Sequence, residues 1–430
     1  MTQLESAREG RVTAAMAAAA DVEGVVPEKV RDEVAAGRAV LPANPAHTGL
    51  RPAVAGRAFR TKVNANIGFS PERSSLAEEL HKLEVSLEAG ADFVMDLSVG
   101  AALEPIRRAI IAASPVAIGT VPVYETLSRV GGRVEELTEE SFLEVIRDQA
   151  LQGVDFMTLH AGLLREHVPL AVKRLLGIAS RGGAVLAEWM MGNGRQNPLY
   201  ERWDDIMAIC REHDVTVSLG DGLRPGCLAD ASDAAQFAEL DVLGLLVQRC
   251  RAAGVQVMVE GPGHVPYDQI QMNMERQQRI CDGAPFYVLG PLVTDIAAAH
   301  DHIACAIGAT AAAFHGACLI CYVTPAEHLH LPTCDDVREG IMACRVAAHA
   351  ADTARGLPGA RKRDDAMSRA RASLDWEGQF AQALDGKRAR ERFHAANRGA
   401  PAGGEQDHCS MCGREFCAMR VSRKLKEMAL

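Results

Sequence analysis

The chain has 430 residues, and its 46 Lys and Arg against 56 Asp and Glu give a formal net charge of −10 at pH 7. This length can bury a large core, and the acidic balance argues against nucleic acid as a main partner because no basic stripe is available to displace counterions. The sequence has neither an apolar run of the roughly 20 residues that span a bilayer nor a secretory signal at its polar N-terminus, so we expect a cytoplasmic enzyme without a membrane partner.

The first two thirds of the chain carry the pattern of a parallel sheet. Residues 1–60 are Ala-rich and predicted to be a mostly helical segment. From residue 61, short runs with β-branched residues alternate with longer amphipathic segments, as in strands that are covered by helices on both sides. We predict strands at residues 61–68, 91–98, 115–124, 154–160, 175–180, 215–222, 255–263, 286–291 and 317–325. Repeats of this number and length favour a closed (β/α)8 barrel of the TIM type over residues 61–334, with an open doubly wound sheet as the second choice.

The last hundred residues differ from the barrel. Residues 335–398 are predicted to form a helical domain, because apolar stripes at three- to four-residue spacing replace the strands. Residues 399–430 begin with a Pro- and Gly-containing linker, 399–407, and continue as a cysteine-bearing tail that we expect to move.

Polar side chains follow almost every predicted strand, where a barrel of this type builds its active site. The candidates are Asn66, Met95, Tyr124, His160, Ser180, Arg181, Gly182, Asp221, Gly222, Leu223, Arg224, Glu260 and Tyr287. The turn 180–183 has the composition of a phosphate cradle, with glycine N–H groups, a hydroxyl and a guanidinium. An ordinary glycine turn is the alternative, but the second Gly/Arg turn at 220–226 favours a ligand.

Two histidines at predicted strand ends could bind a metal ion. His264 ends the constrained turn "EGPGH", and His328 follows a later strand. Neutral imidazole is a good ligand for a borderline divalent ion such as zinc. Two histidines that only satisfy loop ends are the alternative, because the pairing depends on barrel geometry and not on a local motif.

Three of the twelve cysteines, Cys409, Cys412 and Cys417, lie at C-x2-C-x4-C spacing near the end of the chain. A closed structural zinc site needs a fourth ligand, and the adjacent His408 would have to fold back to supply it. A [4Fe–4S] cluster held by three cysteines instead keeps one iron open for an outside ligand. The other nine cysteines are predicted to be small core residues. Clustered thiols in a chain without an export signal are typical of a reducing compartment.

Ten motifs, in order, resemble those of one family. They are "KVNANIG", "VMDLS", "SRGG", "SLGDGLRPG", "ADASDAAQFAEL", "VMVEGPGHVP", "APFYVLGPLVTDI", "CYVTPAEHL", "AAHAAD" and the terminal "CSMCGREFCAM". Together they resemble the short form of the phosphomethylpyrimidine synthase (ThiC) family of thiamine biosynthesis, over essentially the whole chain.

The resemblance implies a homodimeric (β/α)8 barrel with radical S-adenosylmethionine (SAM) chemistry. Its [4Fe–4S] cluster, on Cys409, Cys412 and Cys417, would take an electron from a donor such as flavodoxin or ferredoxin and pass it to SAM. The resulting 5′-deoxyadenosyl radical would abstract hydrogen from the ribose of aminoimidazole ribotide. The products would be 4-amino-5-hydroxymethyl-2-methylpyrimidine phosphate, formate and carbon monoxide. The thirteen strand-end candidates would contact the nucleotide, and His264 and His328 would hold zinc or a similar divalent ion.

Departures from the family motifs leave the product open. The family usually reads "MDLSTGG" where this chain has Val99 after "MDLS", and "DIAPGYDHIT" where it has "DIAAAHDHIA" with His300. A similar enzyme, 5-hydroxybenzimidazole synthase of cobamide (B12) biosynthesis, would convert the same substrate to another ring. From other classes, a zinc-dependent barrel hydrolase with a structural zinc tail and a non-catalytic binding protein are the further alternatives.

Overall fold

The structure is a computed structural model that describes residues 1–70, 74–100, 103–396 and 408–429. The chain divides into two compact units, Met1–Asp352 and Thr353–Leu430. The linker predicted at 399–407 lies outside the described residues. Within the described ranges, no helix has the length and apolar character needed to cross a membrane.

Eight parallel strands close into a barrel in the first unit, which confirms the predicted (β/α)8 architecture. The strands in chain order are β1 Ala39–Val40, β2 Ala55–Gly56, β3 Lys62–Ile67, β4 Phe93–Asp96, β5 Ala117–Thr120, β6 Phe156–Leu159, β7 Thr216–Leu219, β8 Val257–Gly261, β9 Phe286–Leu289 and β10 Leu319–Cys321. β1 and β2 form a separate antiparallel pair, and β3 to β10 follow one another around the barrel until β10 pairs with β3. In this register Asn66 lies opposite Met95 and Glu260 opposite Tyr287, so side chains distant in sequence meet at one end of the barrel.

Helices surround the barrel and precede it. They are α1 Gln3–Arg8, α2 Ala14–Glu23, α3 Pro27–Ala35, α4 Leu76–Ala89, α5 Leu103–Ala113, α6 Pro122–Arg129, α7 Glu139–Leu151, α8 Val168–Ala171, α9 Arg181–Asn193, α10 Pro198–Glu201, α11 Trp203–His213, α12 Ala234–Ala252, α13 Ile270–Ile280, α14 Asp301–His315 and α15 Cys334–Ala354. Local sequence sets many of their ends: Ser75 and Glu78 form a capping box at the start of α4, and Gly90 ends it in the left-handed conformation.

A buried ion pair ties the N-terminal segment to the barrel. His47 Nδ1 lies 2.7 Å from Asp155 Oδ2, and its Nε2 lies 2.9 Å from the carbonyl oxygen of Ser114. Each ring nitrogen thus faces an acceptor, which favours the doubly protonated imidazole. Burial opposes this charge, but the hydrogen bond and the charge of Asp155 outweigh it and raise the pKa of His47. Asp155 also accepts the N–H groups of Asn44 and Ile118, which ties the segment between β1 and β2 to β5.

The structure corrects two of the predicted strands. Residues 175–180 form no strand: Leu175 is 76% exposed, and the N–H groups of Leu175 and Leu176 donate to the carboxylate of Asp230 instead of to a neighbouring strand. The strand predicted at 115–124 ends at Thr120, because Pro122 begins α6 and places Tyr124 on a helix.

The second unit is helical. Its helices are α16 Ala360–Ser373, α17 Trp376–Gln382, α18 Gly386–Ala396, α19 Gly413–Phe416 and α20 Ala418–Ala429. The chain changes direction between α16 and α17, because Leu374 adopts φ +59° and Asp375 caps α17 by accepting the N–H of Gly378 at 2.8 Å. Trp376 and Phe380 pack on Phe393, with ring centroids 4.3 and 5.5 Å apart, and form a small aromatic core.

Candidate active site at the carboxyl end of the barrel

A pocket of about 490 Å³ lies among the carboxyl ends of the barrel strands. Eight of the thirteen predicted substrate residues line it: Asn66, Met95, Tyr124, His160, Asp221, Arg224, Glu260 and Tyr287. Leu97, Val121, Thr158, Gly261, Leu289 and Cys321 complete the lining. The barrel register therefore brings together groups from eight separate strand ends or the loops after them, at the end where barrels of this type build active sites.

A half-buried carboxyl group lines the pocket. Glu260 Oε1 accepts hydrogen bonds from the hydroxyls of Thr158 at 2.6 Å and Ser218 at 3.1 Å. Burial raises the pKa of Glu260, although these hydrogen bonds and the charge of Arg224 favour its ionised form. The two hydroxyls hold the carboxyl group in one orientation toward a ligand.

Asp221 and Arg224 form a second polar pair on the loop after β7. Arg224 Nη1 donates to Asp221 Oδ1 at 3.0 Å. Burial raises the pKa of Asp221 to about 7 despite this cation, with a smaller contribution from the charge of Glu260. Burial by itself lowers the pKa of Arg224, but the facing carboxyl groups outweigh it, so the guanidinium stays charged. Asp221 can therefore exchange a proton near neutral pH.

His160 is a neutral imidazole in this pocket. Burial and then the charge of Arg224 lower the pKa of His160 to about 3. Among the described residues its Nδ1 has no hydrogen-bond partner, and the side-chain amide of Asn197 holds its backbone oxygen at 2.8 Å. A buried polar atom without a partner is costly in a folded protein, so a ligand that hydrogen-bonds Nδ1 would be favoured.

The predicted phosphate cradle is the N-terminus of a helix and not a turn after a strand. Ser180 caps α9, with its Oγ accepting the N–H of Gly183 at 3.2 Å. A Cβ at Gly182 would lie 2.5 Å from the ring of His160, and a Cβ at Gly183 would lie 2.3 Å from the carbonyl oxygen of Gly222. The glycines thus allow the two Gly/Arg turns to touch. The N–H groups at a helix N-terminus favour an anion.

A second, larger pocket adjoins the first. It has about 1470 Å³ of empty space and shares Asn66, Leu97 and Leu289 with the first pocket. Arg181 lies on its wall, with Cζ 5.0 Å from the ring centroid of Tyr124 on the first pocket. The two spaces therefore form one region that can hold more than a single small ligand.

The two candidate metal-binding histidines lie next to each other. The rings of His264 and His328 have centroids 5.3 Å apart. Asp295 Oδ1 lies 2.8 Å from His264 Nδ1, and Asp301 Oδ2 lies 3.7 Å from His328 Nδ1. Burial lowers the pKa of His264, partly offset by Asp295. His328 adopts φ +63°, a conformation that costs energy for a side chain of this kind.

This pair fits a divalent ion as two protein ligands. Each imidazole has a carboxylate near Nδ1, which is the arrangement that orients metal-binding histidines in proteins. Within residues 1–70, 74–100, 103–396 and 408–429, however, no group of three or more His, Cys, Asp or Glu side chains is placed to hold a metal. Among the residues that the structure describes, the pair would thus supply two ligands.

The terminal cysteines belong to the second unit. Cys417 is buried, Cys409 is half-buried and Cys412 is exposed, and all three are free thiols around the single turn of α19. In the described part of the chain they are not gathered into a metal-binding group. As a donor set, three free thiols that are close together in the sequence fit an iron–sulfur cluster with one open iron.

Sequence reasoning missed several pocket residues. Cys321 was expected in the core, but it lines the pocket, and its Sγ accepts a hydrogen bond from Asn66 Nδ2 at 3.1 Å. Its position as the last residue of β10 is the sequence signal for this role, because the other strand ends also supply pocket residues. Glu239 on α12 was also missed: it accepts the N–H of Leu223 at 2.7 Å and so holds the loop of Asp221. Gly222 and Leu223, predicted as substrate contacts, lie on that loop.

The chain matches one family model and several known proteins. Residues 2–424 match the model of the Radical SAM ThiC family. The chain is 58% identical over 426 residues to the phosphomethylpyrimidine synthase of Natronomonas pharaonis, covering 99% of this chain and 89% of that protein. It is 56% identical over 428 residues to the enzyme of the same name from Halobacterium salinarum, with the same coverage. A solved dihydropteroate synthase from Coxiella burnetii matches with a TM-score of 0.42 at 15% identity, over 69% of this chain and 94% of that chain.

Proposed function

Since the chain belongs to the Radical SAM ThiC family, we propose that it is a phosphomethylpyrimidine synthase of thiamine biosynthesis. Its substrate is aminoimidazole ribotide, which it converts to 4-amino-5-hydroxymethyl-2-methylpyrimidine phosphate with release of formate and carbon monoxide. The observation that carries the proposal is the pocket that gathers eight strand-end side chains and lies against the glycine-rich start of α9. Family membership supports this radical enzyme rather than a zinc-dependent barrel hydrolase.

The pocket suits a small phosphorylated nucleotide. The N-terminus of α9, with Arg181 at its first position, attracts a phosphate group through N–H dipoles and a guanidinium. The pKa of His160 near 3 keeps its imidazole neutral, so it can bind a ring nitrogen or hydroxyl without adding charge. Glu260 and Asp221 provide carboxyl groups for the polar edge of the base or the ribose. These residues position the substrate and exclude bulk water from it.

We assign the electron-transfer chemistry to the cysteines of the tail. Cys409, Cys412 and Cys417 would hold a [4Fe–4S] cluster, which when bound supplies the electron that cleaves SAM to methionine and a 5′-deoxyadenosyl radical. SAM and the substrate together need more room than the first pocket offers, and the adjoining second pocket supplies it. The remaining residues of the site then hold the ribose in place for hydrogen abstraction.

The two histidines complete the proposal. His264 and His328 would hold zinc or a similar divalent ion, with Asp295 fixing the tautomer of His264 so that Nε2 is free to bind. From the family we also propose that the enzyme acts as a homodimer and takes electrons from a donor such as flavodoxin or ferredoxin.

A second product is favoured by two departures from the family motifs. Val99, where the chain departs from the family motif, lines the second pocket. The other departure places Ala299 at φ +67° directly before His300. Changes on the wall of the site could redirect the same radical to 5-hydroxybenzimidazole, so the product assay must separate the two rings.

The test is a product assay with the reconstituted protein. Iron and sulfide are added without oxygen, followed by aminoimidazole ribotide, SAM and dithionite, and the products are identified by mass spectrometry. A hydroxymethylpyrimidine phosphate is the expected product. A hydroxybenzimidazole would assign the chain to the cobamide enzyme instead, and the absence of 5′-deoxyadenosine would refute both.

A matched pair of variants links the activity to the tail. Cys412→Ala should abolish the formation of 5′-deoxyadenosine and the cluster absorbance, because one of three thiolates is lost. Cys334→Ala, which removes a half-buried thiol at the start of α15, should keep both. Full activity of Cys412→Ala would contradict the cluster assignment.

A further inference from the structure

The two units of the chain have opposite charge. Residues 353–430 carry 16 Lys and Arg against 10 Asp and Glu, a net charge of +6. Since the whole chain carries −10, residues 1–352 carry −16, which is −10 − 6. The negative net charge of the whole chain therefore does not show that the second unit is basic. This basic unit contains the three terminal cysteines.

The positive charge reaches the cysteines through α20. This helix begins directly after Cys417, whose carbonyl oxygen accepts the N–H of Val421 at 3.1 Å. Its twelve residues include four basic side chains, Arg420, Arg423, Lys424 and Lys426, and one acidic side chain, Glu427. Arg423, Lys424 and Lys426 are exposed within the second unit. At 1.5 Å per residue, Arg423 lies roughly 9 Å along the axis from Cys417.

Large apolar side chains are exposed beside the same cysteines. Met411 is 89% exposed and Phe416 is 84% exposed, and they alternate with Cys412 and Cys417 along the loop and α19. Aromatic residues and methionine with a charged rim are the composition of a transient protein interface. The loop 408–417 and α20 together, which we name the tail surface, combine both features.

We propose that the tail surface is the docking site for an acidic one-electron carrier protein. The inference rests on the proposed function, because the carrier has a purpose only if the cysteines hold a cluster. One electron passes from the reduced carrier to the cluster: the carrier is oxidised by one electron, the cluster is reduced by one, and no bond forms or breaks. The tail surface specifies the partner by its charge and its apolar centre.

Charge complementarity selects the partner. An acidic carrier is repelled by a first unit of charge −16 and attracted by a second unit of charge +6, so encounters concentrate where the cysteines are. Steering of this kind raises association rates by about 10- to 1000-fold and falls with ionic strength. A small reductant such as dithionite does not need a docking surface and reaches an exposed cluster directly. Carrier-driven reduction should therefore depend on salt and on α20.

The test compares two charge-reversal variants of the reconstituted full chain. The first is Arg423→Glu with Lys424→Glu on α20. The control is Lys387→Glu with Arg392→Glu on α18, where both side chains are exposed, so that the net charge changes equally. Stopped-flow bleaching of the cluster absorbance reports reduction by an acidic flavodoxin in its hydroquinone state, and by dithionite.

The α20 variant should be reduced by flavodoxin roughly tenfold more slowly at low salt, with wild-type iron content and a wild-type rate with dithionite. The difference should disappear at about 1 M salt, where the screening length is about 3 Å. Equal slowing of the two variants would overturn the assignment to α20, because net charge alone would then control the rate. An α20 variant that flavodoxin reduces at the wild-type rate would overturn the docking site. Wild-type protein that neither reductant bleaches would instead refute the cluster of the proposed function.

Discussion

Replacing Gly183 with alanine should separate the two Gly/Arg turns under the substrate pocket. The new Cβ would lie 2.3 Å from the carbonyl oxygen of Gly222 and 2.8 Å from its Cα. Ordinary contacts of this kind begin at 3.4 Å, so one backbone has to move by about 1 Å. Because both atoms belong to backbone, no side chain can rotate away to relieve the clash.

The size of the effect follows from two opposing contributions. Gly183 lies in the first turn of α9, where alanine by itself would stabilise the helix by up to about 1 kcal/mol. Overpacking against a fixed backbone costs about 1–3 kcal/mol, so the net loss of stability should be at most about 3 kcal/mol. The loop of Asp221 and Arg224 would shift with Gly222, and a 1 Å misplacement of positioning groups costs about 100-fold in rate.

The assay is kcat/KM for product formation beside the thermal unfolding midpoint. Gly183→Ala should lose about 100-fold in kcat/KM while it unfolds within a few degrees of the wild type. Gly192→Ala is the matched control, because it lies on the same helix and its Cβ would meet nothing within 4 Å. It should keep full activity and gain slightly in stability. Wild-type activity of Gly183→Ala would refute the claim that contact between the two turns builds the site.

Three further predictions concern charge. His47→Leu should destabilise the protein by about 3–5 kcal/mol at pH 6, because it leaves a buried carboxylate unpaired. Since folding raises the pKa of His47, its stabilising contribution is complete below about pH 6.5 and is lost as the pH rises through the pKa of the folded protein. The difference in melting temperature between the variant and the wild type should therefore shrink toward pH 9. An equal difference at both pH values would show that His47 acts through packing alone. Asp295→Asn should weaken zinc binding by about 10- to 100-fold in a chelator competition. The control Asp268→Asn, at an exposed position, should leave zinc affinity unchanged. Equal zinc affinities of the two variants would exclude Asp295 as the residue that orients His264. Because the pKa of Asp221 is raised to about 7, the pH profile of kcat/KM should contain an inflection near neutrality that Asp221→Asn removes. An inflection that remains in the variant would show that another group titrates there.

Local sequence was sufficient for the barrel and for the types of residue at its active end. Most strands are short apolar runs whose ends are marked by a polar or glycine residue, and that pattern depends only on neighbours along the chain. The segment 175–180 shows the limit of this reasoning. Its apolar residues suit a strand, but Asp230, more than fifty residues away, takes the N–H groups that a strand would need.

The chemistry of the site was decided by packing between distant segments. The sequence contains His160 and Asp221, but their pKa values of about 3 and 7 arise from burial, which depends on the closed barrel around them. The sequence likewise contains Gly183 without the carbonyl group of Gly222 that leaves no room for a Cβ there unless the backbone shifts. Residue type and spacing are properties of a chain segment, whereas desolvation and close contact are properties of the atoms that surround it. The chain by itself therefore determined which groups stand at the strand ends, and only the tertiary structure decided which of them carry charge and which lie in contact.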